Sequence, residues 1–214
     1  MSICRFFDAL LAGIVKMWYR LFYPVKVMGD EGDVMSRQSG AKIYVCNHTS
    51  MHDGLVMSLL LRRARARAVI AKDMIKNCLF ASVTRAAGCI EIDRYGLDTA
   101  WLRNSLAALR RGESIIIFPE GKISRSGDIA KFKGGFMLLA LLSGAEVVLL
   151  FHSRGYGFCR SMRLFAKNIG RYEIDRSVSA QYLDMLAHGV REEMCKMQTA
   201  ADGAVSARRI AQNP

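Results

Sequence analysis

The chain has 214 residues, 51% of them hydrophobic, and carries 31 Lys plus Arg against 19 Asp plus Glu, a formal charge of +12. That length supports one domain with a sizeable core, and the charge suits a polyanionic partner such as nucleic acid, anionic lipid or a phosphorylated substrate. Six cysteines at 4, 46, 78, 89, 159 and 195, with no Cys-x-x-Cys pair, exclude a secreted disulfide scaffold and suit buried thiols in a reducing compartment.

Residues 3–23 are apolar but interrupted by Arg5, Asp8, Lys16 and Arg20, and at about 100° per residue these charges share an arc of roughly 120°. Phe7, Leu11, Ile14, Val15, Trp18, Leu21 and Phe22 take the opposite face. Uncharged runs here fall well short of the ~20 residues that span a bilayer. No small-residue cleavage site follows, so a signal peptide is not expected either. Residues 1–24 therefore read as an amphipathic helix lying in the membrane interface, with Trp18 and Tyr19 near the water boundary and Pro24 ending it. An ordinary helix packed on its own domain is the alternative.

Strands and helices then alternate. Strands are expected at 42–46, 67–71, 89–93, 114–118, 147–152 and 160–167, with helices at about 50–62, 74–87, 97–111, 134–143 and 179–198. The apolar stretch from Gly134 to Phe151 is divided by Gly144 into a core helix and a core strand rather than forming a membrane span. This alternation predicts an α/β fold: a mostly parallel central sheet flanked by helices, in a single domain over 25–198. The Ala-rich polar tail 199–214 is expected to fray. Arg62-Arg63-Ala64-Arg65-Ala66-Arg67 is dense in charge but has no alternating aromatics for base stacking, and no nucleic-acid motif occurs, so no nucleic acid is expected as a partner.

Chemistry concentrates just past the strand ends, where ligand sites of open α/β sheets form. His48 follows strand 42–46 and precedes Asp53 by five positions. Thr49 and Ser50 suit the N-cap of the next helix, and Asp53, about one turn inside it, is placed to bond one ring nitrogen of His48 and leave the other as a base. Asp53 as a plain first-turn helix charge is the alternative. His48 and His52 stand four apart, like two zinc ligands on one helix face. The zinc-protease pattern needs Glu directly after the first histidine, where Thr49 stands, so no metal is expected.

Phe118-Pro119-Glu120-Gly121 follows strand 114–118. Pro119 ends the strand, Gly121 permits a turn, and Glu120 is expected at the rim, bonding substrate hydroxyls or orienting a base. Lys122, Ser124 and Arg125 then supply cations and a hydroxyl suited to phosphate, or merely form a basic surface loop. Arg94 ends the run Gly88–Arg94, either as a bidentate phosphate ligand or as a surface partner of Asp93.

Taken in this order over roughly residues 25–170, these segments resemble the glycerolipid acyltransferase family that includes 1-acylglycerol-3-phosphate acyltransferases. Asn47, His48 and Asp53 complete its His-x-x-x-x-Asp motif, and Gly88–Arg94 looks like the second. Phe118–Gly121 is the third, followed by the family-like Phe132-Lys133-Gly134-Gly135. The resemblance implies transfer of an acyl chain from acyl-CoA or acyl-carrier protein to a lysophospholipid hydroxyl, most directly 1-acylglycerol-3-phosphate, giving phosphatidate. His48 and Asp53 would be catalytic. Arg94, Glu120, Gly121, Lys122, Ser124 and Arg125 would bind substrate, and amides near Ser50 would stabilise the oxyanion. No cofactor beyond the acyl thioester is implied.

Lys122-Ile123-Ser124 departs from the usual phosphatidate-forming pattern and is more like branches acting on lysophosphatidylethanolamine. The proline-containing fourth motif lacks its prolines near Glu146–Leu149. The expected location is the cytoplasmic face of a membrane, peripheral or monotopic, with the positive charge attracted to anionic lipid. A metallohydrolase and a non-catalytic membrane-surface protein remain the readings of different class.

Overall fold

A computed structural model describes residues 3–28, 40–75, 78–94, 99–153, 156–174 and 177–212. Its elements in chain order are α1 (Ile3–Phe22), β1 (Val25–Met28), β2 (Lys42–Cys46), α2 (Asp53–Leu60), β3 (Arg67–Ala71), α3 (Cys78–Ala86) and β4 (Ile90–Ile92). Then come α4 (Ala100–Arg110), β5 (Ile115–Ile117), α5 (Gly135–Ser143), β6 (Glu146–His152), β7 (Met162–Gly170) and α6 (Ala180–Gln212). The seven strands form one sheet in the order β1-β7-β6-β2-β5-β3-β4, with every neighbouring pair parallel except β6–β7. This is the expected α/β architecture.

Both faces of the sheet are covered, which is why β2, β5 and β6 read as apolar runs rather than as alternating strands. Ile43, Val45, Ile115, Ile117, Val147 and Leu149 pack with α4, α5 and α6 on one face. Tyr44, Cys46, Ile116, Val148 and Leu150 point the other way, towards α2. Each fully buried aliphatic side chain contributes about 1.5–3 kcal/mol of transfer free energy, so the three central strands form a stiff platform. Gly144 ends α5 in the left-handed conformation, φ 59°, and the chain turns directly into β6.

Two elements differ from expectation. β1, absent from the expected strands, pairs in parallel with β7, Val25 opposite Met162. The tail does not fray at 199: α6 continues to Gln212, and Ala201 is buried in the core. Alanine favours helix, and that contact ties the added turns to the domain.

Helix α1 divides its faces more finely than the sequence suggests. Tyr19 and Phe22 are half-buried, and the Tyr19 hydroxyl bonds His52 Nδ1 at 2.5 Å. Leu10, Ile14, Met17, Trp18 and Leu21 are exposed instead, and Lys16 and Arg20 stand beside them. The side chains of Arg5, Phe7, Asp8 and Leu11, counted among the two faces in the sequence, lie outside the described ones. Phe158, also exposed, stacks on Phe22 with ring centroids 4.7 Å apart, extending this apolar surface. Among the described residues no helix is long and apolar enough to cross a membrane.

Candidate active site

The carboxyl ends of the mutually parallel β6, β2, β5, β3 and β4 lie along one edge of the sheet. They deliver His152, Asn47-His48, Phe118–Gly121, Asp73 and Arg94 respectively. Residues scattered over a hundred positions of sequence thus meet on one rim, as open α/β sheets arrange their ligand sites.

Asp53 organises the centre. Its side chain is 0% exposed. Oδ2 accepts from His48 Nδ1 at 2.9 Å and from the backbone amides of Thr49 and Ser50 at 2.7 and 2.9 Å. Oδ1 accepts from the Tyr156 hydroxyl and faces His152 Nε2 at 3.5 Å. Burial alone would raise the carboxyl's pKa, but the hydrogen bonds from His152, His48 and Tyr156 outweigh it and hold the group well below the usual carboxylate range. An ionised, immobile carboxylate therefore fixes the His48 tautomer with its proton on Nδ1, leaving Nε2 as the basic nitrogen. The His48 side chain is 20% exposed and its ring lies 4.5 Å from that of Phe118, centroid to centroid. Both sequence readings of Asp53 are satisfied at once: it is a first-turn acid and the partner of His48.

The Thr49 and Ser50 amides are not available as oxyanion donors, because both donate to Asp53. Nor do these residues cap α2. The helix begins at Asp53, with His52 at the N-cap position and the Ser50 hydroxyl accepting from the His52 amide at 3.2 Å. The side chain expected one turn inside the helix instead reaches back to those amides.

Glu120 lies beneath the site rather than on its rim. It is 4% exposed and divides its oxygens between the amides of His48, at 3.0 Å, and Ala130, at 3.1 Å. Burial pushes its pKa up, and those two amides offset part of the rise. The Ser124 amide donates to the His48 carbonyl at 2.7 Å, while the Ser124 hydroxyl donates to the Asp128 carbonyl at 2.8 Å. Glu120 and Ser124 thus suspend the His48 backbone from the loop that follows β5. Gly121 turns with φ +66°, and a side chain there would meet Lys133, whose Cε would lie 3.1 Å from an added Cβ.

Arg94 forms a two-point contact with the Asp73 carboxylate, 3.1 Å from Nε to Oδ1, and donates to the Gly121 carbonyl at 2.5 Å. It therefore ties the ends of β3, β4 and β5 together. The expected substrate-side cations Lys122 and Arg125 are exposed, on the loop that runs from Gly121 to Gly127. His52, the other half of the metal reading, gives its Nδ1 to Tyr19, whereas His48 gives its own to Asp53. Among the described residues no group of three or more His, Cys, Asp or Glu side chains is arranged to hold a metal ion. A cavity of about 430 Å³ lies away from the dyad, between β3, β4 and α4, where Arg67, Lys72 and Arg111 line it.

Sequence reasoning missed His152, Tyr156 and Asp73, and named Lys133 only within the family-like segment 132–135. For His152 a signal existed, since it is a polar residue at the end of an apolar run, as His48 is. Nothing local marks Tyr156, which lies 103 positions from the carboxylate it bonds.

Residues 29–153 match the family model described as Acyltransferase. A 1-acyl-sn-glycerol-3-phosphate acyltransferase of Limnanthes douglasii is 31% identical over 143 residues, covering 65% of this chain and 48% of that protein. Its counterpart in Haemophilus influenzae is 28% identical over 152 residues, covering 69% and 63%. That of Cocos nucifera is 29% identical over 141 residues, covering 64% and 44%. The match thus spans about half the length of these curated relatives. The crystal structure of the 1-acyl-sn-glycerophosphate (LPA) acyltransferase PlsC from Thermotoga maritima shares the fold, with a TM-score of 0.54 at 20% identity, over 89% of this chain and 79% of that one.

Proposed function

Because this chain belongs to the acyltransferase family, we propose that it transfers a fatty acyl group from a thioester, acyl-CoA or acyl-carrier protein, to the free hydroxyl of a lysophospholipid. The observation that carries this reading is the 2.9 Å bond between His48 Nδ1 and the buried, ionised Asp53. With Nδ1 committed, His48 Nε2 takes the hydroxyl proton as the oxygen attacks the thioester carbonyl. The new C–O bond forms, the tetrahedral centre collapses, and the C–S bond breaks. The departing thiolate then recovers the proton from His48. No acyl-enzyme, metal ion or cofactor enters the sequence.

The proposed acceptor is 1-acylglycerol-3-phosphate, the substrate class in the names of the curated relatives. Lys122 and Arg125 are exposed cations of the loop beside His48, and Lys133 adds a third against Gly121. Together they offer the charge that a phosphate monoester needs. In this reading Arg94 acts both on the phosphate and on the loop it clamps, and Gly121, Glu120 and Ser124 shape that loop. A lysophosphatidylethanolamine-like acceptor is the second reading. It is favoured by Ile123, which puts an aliphatic side chain where phosphatidate-forming relatives are expected to carry a guanidinium, and by the sharing of the Arg94 charge with Asp73.

The exposed apolar face of α1, flanked by Lys16 and Arg20, supports peripheral docking on an anionic membrane surface, where both lipid chains reside. The test is release of free thiol from acyl-CoA over a panel of lysolipids. Release that requires lysolipid, greatest with 1-acylglycerol-3-phosphate, is the expected result. Equal release without lysolipid would make the protein a thioesterase and overturn the reading.

A further inference from the structure

Asp53 has more partners than a histidine-orienting carboxylate requires. Beyond His48 and the two amides, its Oδ1 receives the Tyr156 hydroxyl and faces His152. His152 is 0% exposed, and its own placement is fixed by a two-way clasp. Its backbone N–H donates to Asn47 Oδ1 at 2.9 Å and its carbonyl accepts from Asn47 Nδ2 at 3.0 Å. Its Nε2 lies 3.1 Å from the Asn47 carbonyl, an acceptor only, so the ring proton belongs on Nε2. The opposite nitrogen, Nδ1, is buried with no hydrogen-bond partner among the described residues. A fully buried imidazole with one nitrogen unsatisfied is costly. What the histidine adds is an N–H beside Asp53.

Tyr156 is held with equal care. Its ring meets that of His152 edge-on at 5.5 Å and that of Tyr23 at 6.4 Å. The groups that face Asp53 are thus His48, His152 and Tyr156, with Cys46 and Glu120 nearby. His48 and Tyr156 donate hydrogen bonds to it, His152 brings its ring N–H to 3.5 Å from Oδ1, and none of the three brings a negative charge.

We propose that His152 and Tyr156 are positioning residues for the transfer reaction: the Tyr156 hydroxyl bonded to Asp53 Oδ1 and the His152 ring packed beside it keep Oδ2 aligned on His48 Nδ1. The proposal rests on the acyl-transfer reading above and deepens it. Without the Oδ1 donors the carboxylate is free to rotate about its Cβ–Cγ bond, and the His48 ring follows it. Losing a donor also makes the Asp53 carboxylate more basic, so the acid limb of the rate profile moves to higher pH.

The test uses the full chain with Tyr156→Phe, His152→Gln and His152→Leu. For each variant kcat and acceptor KM are measured against pH, with the thermal unfolding midpoint and the low-field proton resonance of His48 Nδ1–H. Tyr156→Phe and His152→Leu are expected to lower kcat by roughly ten- to a hundredfold, leave KM within about twofold, raise the acid limb, and shift or broaden the resonance. His152→Gln keeps a donor near Nε2 and should recover most of the loss. A kcat within about twofold of the unmodified chain in both deleting variants would overturn the proposal. So would losses with an unmoved acid limb and resonance, which would mark a purely structural role. If the unmodified chain transfers no acyl group at all, the acyl-transfer reading fails, while the resonance still decides whether these residues position His48.

Discussion

Asp53 is fully buried and accepts bonds from side chains and backbone amides on separate segments of the chain. A short distance along the same rim, Lys122 and Arg125 are exposed on a loop held by turns. The first region is fixed by bonds from several segments at once. The second presents positive charge at the surface. In the proposed reading, the buried region carries the proton transfer and the exposed loop meets the acceptor. Glu120 and Ser124 join the two, since they bond the His48 backbone from the loop side.

The largest effect that sharpens this contrast comes from His48→Ala. It should lower the transfer rate roughly a thousandfold while the unfolding midpoint stays within a few degrees; a rate within about tenfold would erase the distinction between the regions. Glu120→Gln keeps the shape but removes the charge that holds two amides. A fall in kcat of about tenfold, with a loss of roughly 1 kcal/mol in stability, is expected, measured by steady-state kinetics and denaturant unfolding. Unchanged kcat would separate the loop from the dyad.

On the acceptor side, Arg94→Ala should raise the acceptor KM about tenfold through loss of a charge-assisted contact, with kcat changed less. An unchanged KM would confine Arg94 to clamping Asp73 and Gly121. Replacing exposed Trp18 and Leu21 together by Ser should weaken sedimentation with anionic vesicles several-fold through lost apolar burial, and unaltered binding would assign the membrane contact to another surface.

The smallest effect is on pH-dependent stability. The Asp53 carboxyl is held below its unfolded value, so its stabilisation is in full force above about pH 4 and is lost as the pH falls towards the folded value. Asp53→Asn should therefore flatten the fall of the unfolding free energy between about pH 4 and about pH 2.

Much of this was legible in the sequence because the central strands are buried on both faces. Apolar runs at 43–46 and 115–117 mark those strands, and His48 and Glu120, two and three positions beyond them, had to lie near the strand ends. What was not legible depends on contacts distant in sequence. Glu120 carries no local sign that both its oxygens serve backbone amides, so it reads as a rim residue although it is buried. Thr49 and Ser50 look like caps because the return of Asp53 to their amides is invisible in a one-dimensional pattern. β1 has too few residues to show a period and exists as a strand because β7 is beside it. The Arg94–Asp73 pair joins two strand ends 21 positions apart, and only the sheet order makes them neighbours.

The central claim is that the His48–Asp53 pair activates the acceptor hydroxyl for direct attack on the thioester. The most direct measurement mixes the protein with acyl-CoA, first alone and then with 1-acylglycerol-3-phosphate, and follows free thiol, diacyl product and intact protein mass. The account predicts no thiol and no change of protein mass without lysolipid, and one thiol per diacyl product with it. A burst of thiol without lysolipid, together with a protein heavier by one acyl group, would contradict it.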